Sequence, residues 1–81
     1  FNNLIKEYIL ILEVISNWSI ENLEISIKNF ISDKKIKFVK FGKPLRIILI
    51  NSENGPSISD IFYILDKKDS IKRIKNYINK L

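Results

Sequence analysis

Arg46 is one of two arginines in the 81-residue chain, and it sits inside the apolar run LRIILI, two residues after Pro44. Gly55, Pro56 and Ser57 punctuate the chain shortly afterwards. A guanidinium presents its donors in a rigid plane, and apolar neighbours on both sides anchor the backbone that carries it. That combination suits reading a base edge or gripping a phosphate. It equally suits a surface ion pair with Glu53 or Asp60, and spacing alone leaves both readings open. The loop from Ser52 to Ser57 carries the same ambiguity. Gly55 permits close approach of a ligand backbone, and Ser57 opens a helix whose free N–H groups favour anions or base oxygens. Loops that precede helices are commonly built from such residues for local reasons alone.

Other chemistry is easier to exclude. Cysteine and histidine are absent, which removes thiolate chemistry, most metal sites and the usual general base. The only glycines are Gly42 and Gly55, so there is no Gly-rich phosphate loop. The carboxylates are scattered. Glu21 and Glu24 are spaced as a pair, but a first-turn dipole role accounts for Glu21. The sequence therefore reads as non-catalytic, with no metal site and no cofactor of its own.

The net charge of +5 points to a polyanionic partner. The chain is heavy in Ile, Lys and Asn and has no Ala, a composition that A+T-rich codons produce in any protein. Charge alone therefore does not select a partner. Lys43 and a basic face of Lys72, Arg73 and Lys75 are the candidates for phosphate contacts, with a solvated surface as the alternative. Tyr8 and Trp18 read as core or hinge aromatics, base stacking being the alternative. A helical protein-interaction module with incidental charge is the competing functional class. No apolar run reaches the ~20 residues a membrane span needs, and no membrane partner is expected. The absence of cysteine is compatible with the expected cytoplasmic location.

These residues need a scaffold, and the apolar spacing predicts an all-α one of about five helices. Leu4, Ile5, Tyr8, Ile9, Leu12 and Ile15 have helical period, Ile11 widens the stripe, and Asn2 or Asn3 is placed to cap it. Ser19 caps a second helix bearing Ile20, Leu23, Ile27, Phe30 and Ile31. Residues 36 to 41 read as an extended connector that tucks Phe38 and Phe41 inward. Pro44 fits the first position of a short helix over 44 to 51, which Asn51 ends in a left-handed conformation. Ser57 with Asp60 opens a helix through Leu65. After a turn at 66 to 69, Asp69 or Ser70 caps a last helix with Ile71, Ile74, Ile78 and Leu81 inward. The whole is one domain, residues 1–81, and its start at Phe1 reads as a cut from a longer chain.

Residues 43 to 74, KPLRIILINSENGPSISDIFYILDKKDSIKRI, resemble the C-terminal end of bacterial-type glutamyl-tRNA synthetases. That family closes with x-P-L-R-x-x-L-T-G, a short loop with proline, an apolar helix, L-G-K-E and a final helix with R-I or R-L. Pro44, Leu45, Arg46 and Leu49 match, as do Pro56, Ile58, Leu65, Lys67, Asp69, Ile71, Arg73 and Ile74. Upstream the likeness is looser, carried by Trp18 and Leu23. Asn51 and Asp66 stand where the family has glycine. The resemblance implies an all-α anticodon-binding domain of a class I aminoacyl-tRNA synthetase, with the anticodon loop of tRNA(Glu) and the other domains of the parent enzyme as partners. It implies that Arg46 contacts an anticodon base, and that Gly55, Pro56 and Ile58 lie at the other anticodon contacts. It places ATP and Mg²⁺ in a separate catalytic domain.

Overall fold

Apolar side chains at helical spacing account for every helix of the computed structural model, which describes all residues from Phe1 to Leu81. In α1 (Asn2–Glu13) the buried residues are Ile5, Tyr8, Ile9 and Leu12, a single stripe. The stripe is narrower than the sequence implied, because Ile11, expected to widen it, is 36% exposed. Neither expected asparagine caps the helix. Phe1 takes the cap position without a side-chain bond, and Asn2 Oδ1 instead accepts from the Tyr77 hydroxyl at 2.7 Å.

In α2 (Ile20–Lys34), Ser19 caps as expected, its Oγ accepting from the Asn22 amide. Leu23, Ile27 and Phe30 face the core. In α3 (Phe38–Ile50) the outcome differs from expectation. The helix begins at Phe38, so residues 38 to 41 are helical and not extended, and Pro44 lies in the helix interior. Interior proline costs ~3 kcal/mol through its missing N–H and its clash with the preceding turn. Extending the helix backwards places Phe41 in line with Leu45 and Leu49, all three fully buried. That burial, worth ~1.5–3 kcal/mol per large side chain, offsets the proline. Phe38 does not join the core and is 44% exposed. Asn51 ends the helix left-handed, at φ 55, as read from the sequence.

The expected five helices resolve into four, because the last two join as α4 (Ile58–Asn79) across a break at Asp66. Ser57 Oγ caps the start through the Asp60 amide. Asp66 has φ 65 and ψ 175, a region that is essentially glycine's own. Its carboxylate accepts from the Asp69 amide at 3.1 Å, so Asp66 restarts the helix, not Asp69 or Ser70. Ser70 is buried on the Phe62 carbonyl. Replacing Asp66 by glycine removes strain of ~1–3 kcal/mol and loses a cap contribution of only a few tenths relative to glycine. Asp66→Gly is therefore expected to stabilise the fold by about 1 kcal/mol, a rise of roughly 4–8 °C in Tm by thermal circular dichroism.

Helix α4 packs against the other three. Tyr8 centres the core, its ring 5.0 Å from Phe30 and 5.2 Å from Phe41. Trp18 fixes the α1–α2 turn to α4, donating from Nε1 to the Phe62 carbonyl at 2.9 Å. Both aromatics thus serve packing, and full burial of Tyr8 rules out stacking on a base. Lys67 Nζ donates to the Glu13 and Ile15 carbonyls at 2.8 and 2.7 Å, placing a cation at the C-terminal end of α1. No helix is long and apolar enough to cross a membrane.

Candidate nucleic-acid interface

The longer α3 moves Arg46 from the expected first turn to the C-terminal part of the helix. It stands just before the last turn, which itself carries no basic residue. Arg46 is half-buried and leans towards the loop that follows. Its Nε donates to the Pro56 carbonyl at 3.1 Å. Neither Glu53 nor Asp60 forms an ion pair with it. Because Nε is occupied, the end of the guanidinium that carries Nη1 and Nη2 is the part left to meet a ligand.

Local chemistry shapes the loop. Ser52 Oγ donates to the Asn54 carbonyl at 2.8 Å and accepts from the Asn54 amide at 3.2 Å, closing a tight turn on itself. Gly55 follows at φ 144, outside the range of residues with a side chain, and a Cβ there would come within 3.2 Å of Ile50. This backbone leads into Pro56, whose carbonyl reaches Arg46. Arg46, Gly55 and Pro56 are thus brought together, with Gly55 and Pro56 exposed. Ile58 does not join them as a side chain. It is only 2% exposed and belongs to the core.

The basic candidates separate. Lys43 is exposed one turn before Arg46 and forms no ion pair. Arg73 is engaged in the fold. Its Nη1 donates to the Leu49 carbonyl at 2.6 Å and its Nε to Asp69 at 3.2 Å, which closes the C-terminus of α3. Lys75 turns the other way, 4.0 Å from Glu13. Lys72 alone of the three is exposed without a partner. Arg73 and Lys75 therefore point to nearly opposite sides, because a helix turns about 200° between positions two apart, while Lys72 and Lys75, three apart, are neighbours on the surface.

One feature of the surface has no counterpart in the sequence expectations. A groove of about 540 Å³ runs between α2 and the start of α4 and is bordered by Phe38, Ser57 and Ile58. Its signal was the pairing of Phe38 with Gly42 one turn on, which periodicity alone assigns to no role.

The sequence model of the family described as anticodon binding domain matches residues 2–78. The chain belongs to that family. Three relatives are glutamate–tRNA ligases. The enzyme from Aliarcobacter butzleri, its glutamate–tRNA ligase 1, is 35% identical over 79 residues, covering 95% of this chain and 17% of the relative. That from Blochmanniella floridana is 37% identical over 70 residues, covering 83% and 14%. That from Flavobacterium johnsoniae is 32% identical over 78 residues, covering 96% and 16%. The chain thus spans about a sixth of the length of these relatives, and the all-α architecture belongs to this anticodon-binding part.

Proposed function

We propose that this domain reads the anticodon loop of tRNA(Glu) as the C-terminal part of a glutamate–tRNA ligase. The observation that carries the reading is the Arg46–Pro56 bond, which fixes a guanidinium beside an exposed proline bend in a member of the anticodon binding domain family. The free end of Arg46 offers two parallel donors. They match two adjacent acceptors, an arrangement that the pairing edge of cytosine has and that of uracil lacks. Gly55 and Pro56 contribute backbone and ring surface against which an unstacked base lies. Single-stranded loops suit such readout because their bases can be splayed out and reached on their pairing edges. Lys43 and Lys72 supply phosphate attraction without sequence preference. Attachment of glutamate with ATP and Mg²⁺ falls to the rest of the parent enzyme, and the exposed apolar side chains Leu10, Val14 and Ile25 suit contact with its other domains.

The test is binding of the tRNA(Glu) anticodon stem-loop and of a version with swapped anticodon, by the native domain and by Arg46→Ala. The expected loss is ~1–3 kcal/mol for the cognate anticodon and little for the swapped one. An equal loss for both removes the base-reading role and leaves Arg46 a phosphate contact. Were the domain a protein-interaction module with incidental charge, neither RNA would bind in a salt-dependent way.

A further inference from the structure

We propose that the groove between α2 and the start of α4 is a stacking slot for a second unstacked base of the same RNA loop. Phe38 is its stacking face and Glu24 accepts from the N–H edge of the base. The inference rests on the anticodon reading above and extends it to residues outside the Arg46 loop.

Like Val39 and Ile47 of the same helix, Phe38 at the start of α3 is exposed, at 44%, while Phe41, Leu45 and Leu49 are buried. The exposure is built, not incidental. Gly42 lies one turn on, and a Cβ there would meet the Phe38 ring at 2.7 and 2.8 Å. The ring therefore rests on bare backbone, a position that any other residue at 42 would deny it. A half-exposed ring held in place is a stacking platform that loses little freedom on binding.

The rest of the groove fits a nucleotide. Ile27, Ile31 and Ile58 give it an apolar lining, and its volume of about 540 Å³ lies within the range of small-molecule pockets. The carboxylate of Glu24 sits among hydroxyls. Ser59 Oγ donates to Glu24 Oε1 at 3.5 Å, and Ser57 Oγ lies 3.2 Å from Ser59 Oγ. That leaves acceptor capacity on Glu24 for the amino group of a base or the ring N–H of uracil. Lys28 and Lys35 stand two turns apart on the α2 side of the groove, and neither forms an ion pair. An aromatic platform beside unpaired lysines is the arrangement by which proteins hold single-stranded nucleic acid. The slot and the Arg46 site also meet in the chain. Pro56 holds Arg46, and Ser57, the next residue, borders the groove.

The experiment is an NMR titration of the ¹⁵N-labelled 81-residue chain with an oligonucleotide carrying the tRNA(Glu) anticodon loop. Amides around Phe38, Glu24 and Ser59 are expected to shift together with those of the 46–57 loop. Phe38→Ala should weaken binding by about tenfold, the loss of one base–aromatic stack. Gly42→Ala is the sharper variant. It favours the helix and keeps the fold, yet it pushes the ring off its shelf, so binding should weaken while thermal stability does not fall. Glu24→Gln, which keeps one acceptor oxygen but adds a donor, should weaken binding less than Phe38→Ala. If Arg46→Ala weakens binding while Phe38→Ala and Gly42→Ala stay within about twofold of native, the slot is refuted and the anticodon reading stands. If no variant matters, or the RNA shifts no amide, both fall. Groove amides that respond to an added peptide and not to RNA assign the groove to a protein partner and overturn the proposal.

Discussion

Tyr8→Ala is expected to cost about 3–5 kcal/mol, the range for truncating a large buried aromatic. Tyr8 is fully buried where all four helices meet, with the rings of Phe30, Phe41 and Phe62 at 5.0, 5.2 and 6.4 Å. No single neighbour can collapse into the space, because each is itself locked in the same aromatic cluster. A chain of this length has a total stability of roughly 4–12 kcal/mol, so the substitution removes a large share and lowers Tm by roughly 15–35 °C. Urea unfolding followed by circular dichroism measures it. Tyr8→Phe is the control. It keeps the ring and removes only the 2.8 Å bond to Ser26 Oγ, which retains its own bond to the Leu23 carbonyl. Its cost should be about 0.5–1.5 kcal/mol. If Tyr8→Ala proves no worse than Tyr8→Phe, the aromatic cluster is not what holds the helices together.

The same hydroxyl makes stability fall in alkali. Burial opposes the phenolate and pushes the Tyr8 pKa well above the ordinary tyrosine value, against a smaller opposing effect of the Ser26 bond. In the unfolded chain the hydroxyl ionises near pH 10. Below that pH both states keep the proton and the contribution is constant. Above it the unfolded state loses the proton while the folded state retains it, so the equilibrium shifts towards unfolding. The slope is about 1.4 kcal/mol per pH unit until the folded-state value is reached. Tyr8→Phe lacks this slope. The native chain should therefore be the more stable at neutral pH, and its advantage should shrink and then reverse within about one pH unit above 10. Urea denaturation of both proteins across that range decides it, and parallel curves would show that the hydroxyl reaches water in the folded state.

Helix-ending chemistry was legible wherever one residue suffices for it. Ser19, Ser57 and Asn51 act as read, because a cap needs only its own side chain or backbone and the nearest turn. The start of α3 was not legible, since local rules place Pro44 at a helix start. Only the burial of Phe41 against residues from other helices explains why the helix runs back through Pro44 to Phe38. Arg46 does lie beside the proline bend, but the sequence misplaced it within the helix along with the start of α3. Arg73 shows the limit most plainly. A charged residue on an outer helix face looks solvated until the end of another helix supplies the Leu49 carbonyl 24 positions away.

From the amino-acid order alone came the helical class, the turns, the family likeness and the guanidinium beside the proline. Those properties are local, or are repeated at a spacing that one helix can express. The tertiary structure decided which candidates face outward. It buried Ile58 and Tyr8, tied Arg73 to α3, and left Phe38 exposed on the bare backbone of Gly42. A side chain's surroundings depend on which distant helix packs against it, and that choice minimises exposed apolar area over the whole chain at once.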